Sequence, residues 1–245
     1  MTGPRYVYAV CRPLDAPLQV QLTGVGGAPP ALLHHHGLVV VVSAVPEADP
    51  SPEALPDWLA ATVRAHRGVV DALSTVTTPL PLPPATLYRD DSAVRAMLEA
   101  REDDFRLRLH RLHGRVEWGV RLYAASDDDD DGDGDGDGSG AGAGDSDRGG
   151  AEGDEAGEAA EAFARTLHQA LAWLAEDSRL WAPRSPAPAE TAERGVLDAA
   201  YLVPRARSEE FVEMIERARA EGPGVRIELV GPRAAYSFTG GEPWA

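Results

Sequence analysis

Between Asp127 and Gly150 the chain reads DDDDDGDGDGDGSGAGAGDSDRGG, a stretch that no packed core can absorb. Its largest apolar side chain is Ala, so nothing in it offsets the entropy of ordering the backbone. It is expected to be a disordered spacer. It divides the 245 residues into a part from 1 to 125, an acidic insert from 126 to 157, and a part from 158 to 245. It also localises the charge. The formal net charge is −17, yet residues 127 to 158 hold fourteen Asp or Glu against one Arg, a net of −13 that leaves −4 for the remainder. An acidic chain repels phosphate backbones, which argues against a nucleic-acid partner. Asp127, Asp129, Asp131 and Gly132 match the opening of a calcium-binding loop. The twelfth position, where such a loop needs a bidentate Glu, is Gly138, and the pattern fails there.

Residues 1 to 125 alternate strand and helix signals. Arg5–Val10 is a β-branched and aromatic strand, and the run after Gly37 (LVVVVSAV) is apolar enough to be a strand buried on both faces. Trp58, Leu59, Thr62, Val63, His66, Val69, Val70 and Leu73 recur at helical spacing. The proline-rich TTPLPLPPATLY that follows is confined to a sheet edge or an irregular extended run. A second helix is expected from about Asp91, with Val94, Leu98, Phe105, Leu109 and Leu112 on one face and Gly114 as its stop. Val116, Trp118, Val120 and Leu122 then alternate with Glu117 and Arg121, the pattern of a half-buried strand. This order predicts an α+β, ferredoxin-like domain: an antiparallel-rich sheet with helices on one face. Residues 12 to 36 carry no assignable pattern.

Residues 158 to 245 predict a smaller α+β unit with a long leading helix. That helix is expected from Glu158 to Leu180, with Phe163, Leu167, Leu171 and Leu174 as its stripe and Trp173 and Trp181 near its end. A strand over Val196–Val203, a helix capped by Ser208, and a strand over Val225–Val230 broken by Gly231-Pro232 complete it.

No constellation in the chain carries chemistry. His34, His35 and His36 are read as a solvated turn: adjacent strand residues cannot all face one metal, and no Cys, Asp or Glu stands at ligand spacing beside them. His66 lies on an apolar stripe and reads as a hydrogen-bonded core residue. Gly24, Gly26 and Gly27 lack the third glycine and the following helix of a phosphate loop. The lone Cys11 precludes an internal disulfide and reads as a small buried residue. No apolar run approaches the roughly 20 residues of a bilayer span. The expectation is a cytoplasmic, non-enzymatic protein with no cofactor, no metal and no membrane partner.

Several blocks together resemble the gas vesicle protein F/L family: YVYAV near the start, Trp58 with His66, the stretch from Leu109 and Leu112 through Gly114, Val116, Glu117, Trp118 and Gly119, then Ala200–Val203, and finally Gly231, Pro232, Tyr236, Ser237 and Phe238. The chain departs from that pattern twice. Pro81–Ala85 stands where the family carries a P–x–R–F–G-like stretch, and Arg233, Ala234 and Ala235 replace W–P–P, a change that would lose a rigid apolar hook. The resemblance implies an accessory or minor structural protein of gas vesicle assembly that binds the hydrophobic shell protein and other accessory proteins. Glu117, Trp118, Tyr236 and Phe238 are the candidate partner contacts. A different class of function, a small-molecule-sensing regulatory module on a ferredoxin-like sheet, is the rival reading.

Overall fold

The computed structural model describes residues 2–14, 22–45, 54–125, 149–184, 193–222 and 224–240. Of the acidic insert read as disordered over 126–157, residues 126–148 lie outside the described residues, whereas 149–157 belong to a helix that begins at Gly149, nine residues before the expected start at Glu158. The chain divides into two compact units, one of residues 1–117 and 232–245, the other of residues 118–231. This shifts the expected boundaries. The last strand of the first part is divided between the units, and the terminal segment belongs with the first unit instead of closing the second.

In the first unit, β1 (Thr2–Cys11) is the central strand of an antiparallel sheet. Tyr6 to Cys11 are all buried, as a strand covered on both faces requires. Along one side runs β3 (Leu38–Ala44), itself paired with β2 (Ala31–His35), a strand in the stretch that carried no pattern. The register of β1 on β3 slips between Val7 and Ala9, so Tyr8 is the extra residue of a β-bulge. Along the other side, β4 (Leu80–Pro81) and β5 (Leu87–Asp90) are two halves of one extended edge segment. Pro83, Pro84 and Ala85, with φ of 66° at Ala85, separate them. The prolines thus sit at the edge, where a missing N–H costs least.

Helix α1 (Leu55–Val76) packs through Thr62, His66, Val69, Val70 and Leu73, while Leu59 is left exposed. The helix expected from Asp91 is two helices, α2 (Asp91–Ala100) and α3 (Glu102–Leu112), broken at Arg101 (φ −131°, ψ 21°). Asp90 caps α2 by accepting the Ala93 N–H at 2.8 Å. Gly114, at φ 73°, turns the chain out of α3 into β6 (Arg115–Ala125).

The second unit carries a four-stranded sheet in the order β7-β8-β6-β9. Its leading helix, α4 (Gly149–Leu174), ends six residues earlier than expected, and Asp177–Trp181 is an edge strand, β7, antiparallel to β8 (Glu193–Pro204). α5 (Ser208–Glu221) follows without a side-chain cap: the N-cap position falls on Arg207, and Ser208, expected as the cap, is the first helical residue, its hydroxyl accepting from Trp118. β9 (Val225–Arg233) runs through Gly231-Pro232 instead of stopping there. Phe211, Ile215, Leu167, Leu171 and Tyr201 fill the core. Polar residues of β8, β6 and β9 form a ladder: Arg226 lies over the Tyr123 ring (4.4 Å) and donates to Glu193 and Glu228, while Arg121 pairs with Asp198 (3.6 Å).

The first core is built around aromatic hydroxyls. Tyr8 Oη accepts the Val25 N–H (2.7 Å) and meets Ser43 Oγ (2.9 Å), which donates onward to the Ala28 carbonyl. Tyr6 Oη accepts the Ala85 N–H (2.9 Å) and meets His66 Nδ1 (3.1 Å). The triple-glycine stretch is therefore a turn clamped to two buried hydroxyls. A Cβ on Gly24 would stand 2.5 Å from Ser43 Oγ and 2.7 Å from the Ala28 carbonyl, and closer still to Tyr8 Oη. Gly24→Ala is expected to lower stability by about 2–3 kcal/mol, seen as a fall in the denaturation midpoint at unchanged m-value.

Burial, aided by the neighbouring Arg67 charge, pushes His66 down from 6.5 to about 4. The unfolded chain therefore takes up this proton first as the pH falls. Stability from the neutral imidazole is complete above about 6.5 and is lost progressively down to about 4. The loss is on the order of 3 kcal/mol, and His66→Leu is expected to flatten the midpoint-versus-pH curve across that window.

Candidate partner-binding site

Glu117 lies in a strand whose alternation points it away from the Val116 and Trp118 side, and sequence alone reads it as solvated. It is fully buried. Its carboxylate is closed by four donors, two from Arg233 at the end of β9 and two from Ser237 in the segment that follows. Arg233 donates to Oε1 from Nε (3.0 Å) and Nη2 (2.6 Å), and the Ser237 hydroxyl adds a third bond there (2.8 Å). The Ser237 backbone N–H donates to Oε2 at 2.7 Å. A buried carboxylate without such partners would be strongly disfavoured; with them it becomes a clamp. Under the clamp, Ala234 is buried in the first core, Ala235 is buried next to it in sequence, and Tyr236–Phe238 form a short 3-10 turn. Phe238 is buried, whereas Tyr236 is partly buried with its ring 6.1 Å from His66. Arg108 of α3 donates to the Thr239 carbonyl and ties down the end of the segment.

Trp118, the next residue of β6, belongs to the second unit. Its ring stacks on Phe211 (6.1 Å), and its indole N–H donates to Ser208 Oγ at 3.3 Å. The rest of its edge floors a shallow cleft with Val212, rimmed by Glu209, Glu213, Glu216 and Arg217. Of the four candidate contacts, Trp118 borders this cleft. Glu117 and Phe238 act on internal partners, and Tyr236 packs against the core.

Larger exposed apolar side chains stand elsewhere in the second unit. Leu180 and Trp181 project from edge strand β7, and Trp173 from α4, with the Arg207 guanidinium 5.0 Å from the ring centroid. The sequence pattern places Trp173 and Trp181 near the end of the helix expected to run to Leu180; the strand pairing shows that Leu180 and Trp181 stand on a sheet edge, while Trp173 remains on α4. Of the His run, expected to be a solvated turn, His34 and His35 pair in strand β2 and only His36 lies in the hairpin turn; Glu99 and Glu102 approach it from α2 and α3, more than sixty residues away. Cys11 is wholly buried, and burial pushes its thiol up to about 12, so it is protonated and inert at neutral pH.

The family model for gas vesicle synthesis protein GvpL/GvpF matches residues 4–240. The chain belongs to the GvpL/GvpF family. Within that family it is 44% identical over 250 residues to gas vesicle protein L of Streptomyces sp. (strain CB03234), covering 96% of this chain and 92% of that one. It is 26% identical over 240 residues to gas vesicle protein F of the same strain, covering 95% and 98%. The fold is that of two crystal structures of GvpF. For GvpF from Anabaena sp. PCC7120 the TM-score is 0.72 at 18% identity, covering 98% of this chain and 97% of that one. For GvpF from Microcystis aeruginosa it is 0.68 at 16% identity, covering 98% and 100%. No described helix is long and apolar enough to cross a membrane.

The family-pattern departure at 233–235 is compensated in the structure. The two alanines are buried, and Arg233 supplies half of the donors to Glu117. Glu117→Gln removes the charge while keeping the shape. It is expected to cost about 2–3 kcal/mol and to raise amide exchange at Ser237 more than in the β1 core, as hydrogen exchange followed by mass spectrometry would show.

Proposed function

We propose that this chain serves in gas vesicle assembly by binding, as a cytoplasmic accessory or minor structural component that covers apolar surface of the shell protein and docks on other accessory chains. The observation that carries this is the family match across residues 4–240. It is supported by apolar and aromatic side chains that the second unit leaves exposed at Leu180, Trp181 and Trp173. A subunit destined for an apolar wall exposes greasy surface before it polymerises, and a partner presenting matched apolar side chains would shield it.

In this reading Trp118 makes partner contact through its open edge, beside Val212. Glu117, Tyr236 and Phe238 contribute by holding the terminal segment in place. The first unit is taken as a ferredoxin-like variant, with the helices on one face of its sheet. The binding involves no bond made or broken.

Co-expression with the shell protein, followed by capture through a tag on this chain, tests the proposal. The wild type is expected to retain the shell protein in the soluble fraction. Leu180→Ser with Trp181→Ser, and separately Val212→Glu, should each lower the captured amount about tenfold or more with little change in melting temperature. Failure of the wild type to capture the shell protein or any other vesicle component would defeat the reading.

A further inference from the structure

We propose that His35, His36 and Glu99, with Glu102 behind them, form a binding site for a divalent transition-metal ion of the zinc class. One ligand atom from each of His35, His36 and Glu99 lies within 4.8 Å of the others. Adjacent strand residues would point to opposite faces, but these two are not both in a strand. His35 ends β2, and His36 occupies the hairpin turn to β3 at φ 47°, followed by Gly37 at φ 72°. Two consecutive left-handed residues make the tight turn that matches strand twist. The turn swings the second imidazole alongside the first, and the rings stack with centroids 4.2 Å apart and 11° between their planes.

The carboxylates arrive through the break at Arg101, which puts Glu99 near the end of α2 and Glu102 at the start of α3. Glu99 Oε1 stands 2.8 Å from His35 Nε2, and Glu102 Oε2 stands 3.2 Å from His36 Nδ1. Arg106 donates twice to Glu102, at 2.7 and 2.9 Å, and once to the His36 carbonyl at 2.6 Å. It thereby fixes both the carboxylate that holds His36 and the turn itself, as an outer-shell partner does in metal sites. Two carboxylates against one guanidinium leave the cluster net negative with both imidazoles neutral. Two imidazole nitrogens and one carboxylate oxygen favour Zn²⁺, Co²⁺ or Ni²⁺ over Mg²⁺ or Ca²⁺, whose ligands are oxygens. Three protein ligands leave a fourth position for water or for a group from a bound partner. The bound ion would join the β2–β3 hairpin to the α2–α3 break.

The test uses the full chain without an affinity tag, titrated with ZnCl₂ by calorimetry and with CoCl₂ by visible absorption. The expected result is one Zn²⁺ per chain and the d–d bands of a site with nitrogen ligands. His35→Ala and Glu99→Gln should each weaken the affinity about tenfold or more, and the double variant His35→Ala/His36→Ala should abolish the site. Circular dichroism confirms that the variants remain folded. A version lacking residues 127–150 separates this site from loose cation association with the acidic run, and it should bind Zn²⁺ as the full chain does. Stoichiometric binding that survives in the double histidine variant, or wild-type binding no tighter than that variant's, overturns the proposal.

Discussion

A carboxylate with no exposure to water persists as an ion only where fixed donors replace its hydration. Glu117 meets that condition through a segment more than a hundred residues downstream, and each needs the other. Without Arg233 and Ser237 the carboxylate has no partner inside the fold. Without the carboxylate the segment after β9 loses the bonds at Ser237, leaving the Arg108 contact to the Thr239 carbonyl near its end. The closure also explains how the units divide. Within β6, Glu117 faces the returning terminus, while the next residue, Trp118, packs on Phe211 of α5. One strand thus supplies consecutive residues to the two units, Glu117 to the first and Trp118 to the second.

The replacement at 233–235 shows that one anchoring task can be met by different chemistry. Read as sequence, Arg-Ala-Ala in place of a rigid apolar triplet looks like a loss. In the fold the small side chain of Ala234 joins the first core, and Ala235, next in sequence, is also buried. The anchoring strength moves to the Arg233 guanidinium, whose planar fork reaches one carboxylate oxygen with two nitrogens. An apolar anchor and a charge-assisted one differ in their sensitivity to solvent. Because the Glu117 end of the pair is buried, screening by salt is weak there.

What local pattern could reveal, it did: the doubly buried β1 and β3, the α1 stripe, the edge position of the proline-rich segment and the Gly114 stop all follow from spacing and backbone chemistry. The remainder depended on tertiary partners. Leu98 and Phe105 are seven residues apart, a spacing that one unbroken helix satisfies as well as two, so the break at Arg101 leaves no mark on the periodicity. Sequence alone carries the helix after the insert through to Leu180, because Trp173, Leu180 and Trp181 continue its apolar character. What ends it is the Glu176 N–H reaching the Leu202 carbonyl (2.9 Å) and β7 pairing on β8. The Glu99 and Glu102 carboxylates beside His35 and His36, like the donors to Glu117, come from distant sequence, and no local motif announces them.

The titratable groups in the first core share one direction. Burial pushes the Cys11 thiol up to about 12 and His66 down to about 4, and raises Tyr6, Tyr8 and Tyr236 above the ordinary phenol value. Each is driven to its uncharged form at neutral pH. A proton-transfer catalyst needs the opposite, a group whose titration lies near the ambient pH and which faces substrate. Here the Tyr6 and Tyr8 hydroxyls instead meet backbone and side-chain partners, His66 Nδ1 among them, fixing the Val25 turn and the Ala85 bend. The polar interior of this unit therefore sets shape.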